Sequence, residues 1–174
     1  MSPEEFERYA LLVLQQQVRG MEHCRFEHNK IIEVSDGNYQ IDGYIEFDLM
    51  GVTYKTLVEC KHYKSSISRE KVQVLYDKLR ACGAQKGILI SSSNFQSGAI
   101  TYATQHGIAL VQLTESSNQY FTKSMYDTSK YHRSNYGAAP YIGIMQTSVK
   151  EGVISSSYLS SDYLRLKEFL EETH

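Results

Sequence analysis

Apolar and polar residues alternate in residues 40–48, which is the pattern of a half-buried β-strand. The period of two predicts that Ile41, Ile45 and Phe47 lie on one face of this strand. Asp42 falls on the opposite face. An acidic residue on a face that helices of an α/β domain would cover is a candidate for chemistry.

A second alternating stretch covers residues 53–61. Its period predicts that Cys60 points into the core while Glu59 and Lys61 share the other face. We interpret Cys60 as a structural residue, although its backbone carbonyl remains available to a ligand. The two strands together therefore carry two acids, Asp42 and Glu59, and one base, Lys61.

The residues between the two strands predict a tight turn at Met50 and Gly51. Counting outward from this turn in an antiparallel hairpin places Asp42 directly opposite Glu59. This register is decisive, because a shift of one residue would move every side chain of one strand to the other face.

The start of the chain has the signals of a helix. Ser2 is a predicted N-cap, Pro3 occupies the first helical position, and Glu5 completes a capping box. The helix is expected to run to about residue 19 and to end at Gly20. Its predicted buried stripe consists of Phe6, Ala10, Val13 and Leu14, and the line of Leu11, Leu14 and Val18 includes Glu7, which is therefore expected to face inward.

The remaining elements alternate between strands and helices. We expect a short strand at 31–34, a helix at 69–82 capped by Ser68, a buried strand "KGILIS", a helix beginning at Asn94, and a buried strand "IALVQL". The order is helix, three strands, helix, strand, helix, strand (αβββαβαβ). Such alternation predicts an α/β fold with a mixed β-sheet flanked by helices.

The last sixty or so residues differ in character from the rest. We divide the chain into a domain at 1–114 and a C-terminal extension at 115–174 that is rich in Tyr and Ser. Only a terminal helix is legible there, with Leu164, Phe169 and Leu170 available for docking. We expect the extension to pack on the domain; the alternatives are a contact with a dimer partner and stacking on bases.

Composition and charge bound the function. The net charge of −2 argues against a general nucleic-acid coat, but residues 61–86 carry seven Lys or Arg against two acidic residues, a local charge of +5. This is a candidate phosphate-facing patch, and a solvated helix face is an equally good interpretation. Neither a secretion signal nor a membrane-spanning run is recognisable, so we expect a cytoplasmic protein with no membrane partner. The three cysteines and six histidines show no metal-ligand spacing.

Two opposed carboxylates repel each other unless a cation lies between them. Mg²⁺ prefers oxygen ligands and often takes one or two carboxylates together with water and phosphate. Asp42 and Glu59 are therefore predicted metal ligands, with the Cys60 carbonyl as a further one, and Lys61 stands beside them to hold an attacking water. The plainer interpretation is a surface salt bridge; it is disfavoured because helices should cover this face.

An Asp followed by a hairpin and then Glu-x-Lys resembles the PD-(D/E)XK nuclease superfamily, which has the restriction-endonuclease-like fold. "FERYALLVL", "IDGYIEF" and the stretch "VECKHYKSSISREKVQVLYDKLRACGAQKGILISSSNFQSGAITYATQHGIALV" together look like the catalytic domain of Mrr-like restriction endonucleases. The likeness covers roughly residues 5–113 and keeps the order of elements.

The resemblance implies metal ligation by Asp42 and Glu59 and a catalytic role for Lys61. It further implies that Glu7 is an acid brought to the metal and that Gln73 is a helix glutamine near the active site. Relatives commonly attach a DNA-reading module, and none is recognisable here, so specificity is not carried over.

The sequence therefore predicts a Mg²⁺-dependent endonuclease, tolerant of Mn²⁺, that hydrolyses DNA and acts as a homodimer. One alternative is a structure-selective nuclease with the same fold, a junction resolvase or an RNase acting on RNA or branched DNA. A second alternative is a non-catalytic nucleic-acid-binding module that kept the fold. The intact Asp42, Glu59 and Lys61 favour an enzyme.

Overall fold

The computed structural model of the chain describes residues 1–115, 141–150, 152–159 and 163–172. Its elements are α1 (Pro3–Gln17), β1 (Arg25–Val34), β2 (Gly37–Leu49), β3 (Val52–Lys61), α2 (Arg69–Ala81), β4 (Lys86–Ser91), α3 (Ser97–Gln105), β5 (Ile108–Glu115), β6 (Tyr141–Lys150), β7 (Val153–Leu159) and α4 (Arg165–Glu171). The first eight elements have the predicted order αβββαβαβ.

The strands form one mixed sheet in which spatial order equals chain order, from β1 at one edge to β7 at the other. The central strands β3, β4 and β5 are parallel, and the outer pairs are antiparallel. One core cluster includes residues of α1 and α4, and a second includes residues of α2 and α3. The mixed sheet flanked by helices, predicted from the sequence, is confirmed.

Helix α1 begins as its sequence predicts. The Ser2 hydroxyl accepts a hydrogen bond from the Glu5 backbone at 3.2 Å, and the Glu5 carboxylate accepts one from the Ser2 backbone at 2.6 Å. The helix ends at Gln17, two residues before the expected end, and Val18 is its C-cap. Within the described residues, no helix has the length and apolar character needed to cross a membrane.

Strand β1 is longer than the sequence indicated. It begins at Arg25 rather than near residue 31. As an edge strand it alternates between exposed and half-buried residues, so its outer part lacks the apolar signal of a core strand.

The β2–β3 hairpin has the predicted turn and register. Leu49 pairs with Val52, and the ladder continues to the pair of Gly43 and Val58. Met50 and Gly51 both have positive φ, 53° and 79°, as a two-residue turn of this kind requires. This register carries Asp42 to the level of Glu59, one residue beyond the last ladder pair.

The common face predicted for three apolar residues of β2 is correct for two of them. Ile45 and Phe47 pack in the cluster with α1, but Ile41 packs with Leu57 in the cluster of α2 and α3. The ladder to β3 has ended at this point, and Asn29, across from Asp42 on β1, has a φ of 51°. Strict alternation fails because the strand is no longer held in the ladder on both sides.

Helices α2 and α3 differ from the expectation at their N-termini. Ser68 is the N-cap of α2, but its side chain makes no capping hydrogen bond. The prediction that a helix begins at Asn94 is wrong, since α3 begins at Ser97 with Gln96 as N-cap. Asn94 instead uses its backbone carbonyl to accept a hydrogen bond of 2.8 Å from Ile67 in the preceding loop.

The described part of the extension continues the sheet. Strand β6 pairs with β5 and strand β7 pairs with β6, and neither was predicted. In α4 the buried residues are Leu166 and Leu170, while Phe169 packs partly buried against the same cluster and Leu164 precedes the helix as its N-cap. The Ser- and Tyr-rich residues 116–140 lie outside the described residues.

Candidate active site

Asp42, Glu59 and Lys61 come together at the end of β3. The backbone nitrogen of Cys60 donates a hydrogen bond of 2.7 Å to Asp42 Oδ2. Lys61 Nζ donates a hydrogen bond of 2.8 Å to Glu59 Oε2. The two acids and the base therefore lie on adjacent strands within one charged cluster.

The Glu59 carboxylate is held by a second lysine that the sequence did not point to. Lys78 Nζ, which comes from α2, donates a hydrogen bond to Glu59 Oε1 and another of 3.2 Å to the backbone carbonyl of Gln40. Glu59 is buried with 5% of its surface exposed. Two ammonium groups therefore neutralise a carboxylate that water scarcely reaches, as a buried charge requires.

Asp42 is in a less favourable electrostatic environment than an ordinary carboxylate. Burial raises its pKa, the Cys60 amide lowers it, and the negative charge of Glu59 raises it again, so the net pKa lies above the usual value. Burial, with Asp42 as the next cause, also raises the pKa of the Cys60 thiol, which packs at the edge of the core as a structural residue.

Lys61 is kept in its charged form. Burial by itself lowers its pKa, but the charge of Glu59 and the hydrogen bond that Lys61 donates to it outweigh burial, and the net pKa is raised. At neutral pH the side chain is an ammonium ion, which can donate hydrogen bonds to water or phosphate and cannot accept a proton.

Glu7 of α1 lies close enough to the cluster to contribute to the raised pKa of Asp42. It is half-buried, and its Oε1 is 2.8 Å from His28 Nε2 on β1. His28 itself pairs with Gly43, the neighbour of Asp42. Glu7 thus faces inward as expected, and its carboxylate contacts His28. No spacing in the sequence had indicated that this histidine belongs to the site.

Gln73 lies on α2 but is exposed. The residue of this helix that reaches Glu59 is Lys78, five positions later, which is about 140° around the helix axis. The structure therefore does not bring Gln73 into the hydrogen-bonded cluster described above. Its role remains a prediction.

The donor set suits a hard divalent cation that is only partly enclosed by protein. Asp42 and Glu59 supply carboxylate oxygens, and the Cys60 carbonyl is on the same strand. Among the described residues, no three His, Cys, Asp or Glu side chains converge as a complete metal site. The two carboxylates fit Mg²⁺ or Mn²⁺ on the condition that water and substrate phosphate supply the other ligands.

The basic stretch at 61–86 does not form the single exposed patch that we considered. Lys61 and Lys78 turn inward to Glu59. Lys86 is buried, and its Nζ donates hydrogen bonds to the backbone carbonyls of Phe169 and Glu172 at the end of α4. The exposed basic residues of this stretch are Lys64, Arg69 and Arg80. Three of the seven basic residues are therefore used inside the protein.

The two loops that follow β3 and β4 are joined to each other beside the site. The Ser92 backbone donates to the Lys61 carbonyl at 3.1 Å, and Ile67 forms an isolated parallel bridge with Phe95. Phe95 is buried. Backbone contacts therefore connect the segment after β3 to the segment after β4 next to Lys61.

Three comparisons relate the chain to known proteins. The family model Mrr_cat, described as restriction endonuclease, matches residues 1–117. The type IV methyl-directed restriction enzyme EcoKMrr of Escherichia coli strain K12 is 31% identical over 112 residues, which cover 64% of this chain and 35% of the relative. The chain thus spans about a third of the length of that relative.

Two solved structures are loosely similar in shape. The protein of unknown function AF1548 is 16% identical with a TM-score of 0.49, over 60% of this chain and 56% of that chain. The DNA modification-dependent restriction endonuclease AspBHI is 17% identical with a TM-score of 0.45, over 63% of this chain and 28% of that chain.

Proposed function

Because the chain belongs to the Mrr_cat family of restriction endonucleases, we propose that it is a metal-dependent endonuclease that hydrolyses phosphodiester bonds of DNA. The observation that carries the proposal is the cluster of Asp42, Glu59 and Lys61, which share one site through hydrogen bonds at the end of β3. Two acids with a charged lysine beside them supply what phosphodiester hydrolysis needs: a place for a cation and a donor for the attacking water.

Asp42 and Glu59 are the proposed ligands of Mg²⁺, for which Mn²⁺ substitutes, and the Cys60 carbonyl is a proposed further ligand. When bound, such an ion polarises the phosphate and lowers the pKa of a coordinated water. The raised pKa of Asp42 supports this assignment, because burial and the charge of Glu59 both disfavour its ionised form until a cation is present.

Lys61 is the proposed catalytic lysine. Since its pKa is raised, it acts as a cation that orients the water and balances charge developing on the phosphate oxygens. Glu7, held by His28, is proposed to accept a hydrogen bond from water at the edge of the site. Gln73, exposed on α2, is proposed to contact the substrate rather than the metal.

Plasmid cleavage tests the proposal. Supercoiled plasmid is incubated with the protein and Mg²⁺ or Mn²⁺, beside Asp42→Ala and Lys61→Ala, with chelator as a further control. We expect wild-type cleavage only with metal, and a loss of about 10²-fold or more in each variant. Intact plasmid in every lane, or equal cutting by all three proteins, contradicts the proposal.

The same cleavage assay also tests which nucleic acid is the substrate. The relative EcoKMrr is methyl-directed, so the plasmid is offered in methylated and unmethylated form. We propose duplex DNA as the substrate, and the family supports this choice. A preference for RNA or branched DNA would instead support the alternative of a structure-selective nuclease with the same catalytic residues. Metal-independent binding of DNA without cutting by the wild-type protein would support the non-catalytic module.

We propose a homodimer as the cutting form, because cleavage of both strands of a duplex needs two active sites. Sedimentation of the protein with a short duplex and Ca²⁺ measures the number of copies bound. Two copies on the duplex, and linear product from plasmid, are expected. A single copy that only nicks the plasmid contradicts the dimer while leaving the hydrolytic site intact.

A further inference from the structure

Lys78 joins α2 to the proposed metal site. Its Nζ donates hydrogen bonds to Glu59 Oε1 and to the Gln40 carbonyl, so it bridges β3 and β2. The side chain is 21% exposed, whereas the Glu59 side chain is 7% exposed. The ammonium group thus reaches the carboxylate from the edge of the site that solvent can enter.

The cluster is balanced in charge without any metal. Lys61 takes one oxygen of Glu59 and Lys78 takes the other. Together with Asp42 this makes two carboxylates and two ammonium groups, and the nearby carboxylate of Glu7 is paired with His28 at 2.8 Å. Lys61 belongs to the Glu-x-Lys pattern, so Lys78 is the cation that this pattern does not account for.

A divalent cation entering a balanced cluster meets two like charges, which oppose its binding. A phosphodiester group brings negative charge and oxygen ligands at the same time. Asp42 and Glu59 are the two carboxylates of the proposed site, and the described residues form no complete three-residue metal site, so the cation needs ligands from the substrate as well. Both features favour weaker metal binding in the free protein than beside DNA.

We propose that Lys78 is a positioning residue that makes binding of the divalent cation depend on DNA. It holds Glu59 in place in the free protein, and it opposes the cation until a phosphodiester supplies the missing negative charge. The inference rests on the proposed function, since it assumes that Asp42 and Glu59 bind the metal.

Calorimetric titration with Mn²⁺ tests the inference. Wild type, Lys78→Met and the matched control Arg80→Met are titrated alone and with a short duplex carrying phosphorothioate linkages, which resists cleavage. Arg80 is exposed on the same helix, and its loss removes the same charge. In the wild type we expect DNA to tighten Mn²⁺ binding by about fivefold or more, the range usual for two coupled ligands.

Lys78→Met is expected to bind Mn²⁺ more tightly than wild type without DNA and to show a smaller effect of DNA. Arg80→Met is expected to keep the wild-type ratio, and Lys78→Arg to restore it. Equal Mn²⁺ affinity in wild type and Lys78→Met without DNA overturns the inference, as does an unchanged effect of DNA. Thermal unfolding of each variant verifies that it is folded.

Asp42→Asn distinguishes failure of the proposed metal site from failure of the role proposed for Lys78. If this variant binds Mn²⁺ as wild type does, the proposed metal site is wrong and the inference falls with it. If Asp42→Asn loses Mn²⁺ binding while Lys78→Met behaves as wild type, the metal site stands and only the role of Lys78 is overturned.

Discussion

The backbone amide of Cys60 donates a hydrogen bond of 2.7 Å to Oδ2 of Asp42. The β2–β3 ladder ends one residue earlier, at the pair of Gly43 and Val58, so this side chain replaces the next backbone contact between the strands. The bond holds Asp42 beside Glu59 although the two carboxylates repel each other. A single amide thus fixes the spacing on which the proposed metal site depends.

Asp42→Asn should abolish stabilisation of the protein by metal. Asparagine keeps an oxygen that can accept from Cys60, so the fold is retained while the charge is lost. A ligand that binds only the folded state stabilises it by about 2.7 kcal/mol at a concentration one hundred times its Kd. Thermal unfolding with chelator and with saturating Mn²⁺ should show an increase in Tm for wild type and none for Asp42→Asn.

Asp77→Asn is the matched control, because Asp77 is exposed on α2. It should keep the wild-type increase in Tm. An equal increase in Asp42→Asn would show that the cation stabilises the protein from another place.

Glu7 and His28 should act as one unit. Removing a partner that orients a group at a metal site commonly costs about 10- to 100-fold in activity or affinity. We expect Glu7→Gln and His28→Ala each to lower the initial cleavage rate by about that factor, and the double variant to be no slower than the worse single variant, since the 2.8 Å contact is already lost. Glu4→Gln, an exposed change in the first turn of α1, is the control.

Multiplying effects in the double variant would contradict the pairing. Such a result would mean that Glu7 and His28 serve the reaction independently. A fully active Glu7→Gln would remove Glu7 from the site altogether.

Gly43→Ala should destabilise the fold beside the site. A Cβ at this position would lie 2.8 Å from Leu11 Cδ2, closer than Cβ atoms approach other atoms in proteins, and 3.2 Å from Val58 Cβ, which is tighter than most Cβ contacts. Overpacking of this kind costs about 1 to 3 kcal/mol in the free energy of unfolding. Urea unfolding of the variant and wild type measures the change.

Gly98→Ala is the contrasting substitution in the same experiment. Gly98 lies in α3, and nothing is within 4 Å of its added Cβ. Alanine in a helix is favoured over glycine by about 0.5 to 1 kcal/mol, so this variant should be more stable than wild type. Equal losses in both variants would mean that the contact with Leu11 is not the cause.

Lys86 should make stability depend on pH in the alkaline range. Burial lowers its pKa below the usual 10.5, so the folded protein releases this proton at a lower pH than the unfolded chain does. Stability rises with pH wherever the unfolded state binds more protons. Relative to Lys86→Met, wild type should therefore gain stability as pH rises from the folded pKa of Lys86 toward 10.5.

Urea unfolding of both proteins between neutral pH and this limit measures the difference. The assignment is contradicted if the difference in free energy of unfolding between wild type and Lys86→Met is constant with pH, or if it changes against wild type as pH rises. Below the folded pKa of Lys86 the lysine is charged in both states, so the cost of its burial is fully present there.

Strands β6 and β7 could not be predicted from the sequence, for identifiable reasons. Strand β6 carries Thr147 and Ser148 among apolar residues, and β7 begins with exposed apolar residues, Val153 and Ile154, and continues through a run of serines. Such residues pair well at the edge of an existing sheet but give no alternation that predicts a strand on its own. These residues form strands because β6 pairs with the existing strand β5 and β7 then pairs with β6.

The sequence by itself determined the start of α1, the β2–β3 hairpin and its register, because a capping box, a tight turn and the alternation beside that turn act between near neighbours in the chain. It therefore placed Asp42 at the level of Glu59 and Lys61 beside it. Only the tertiary structure decided that Lys78 reaches Glu59, since that depends on how α2 crosses the sheet. The same packing buried Lys86 beneath α4: a charged side chain takes its environment from distant elements, which local pattern does not encode.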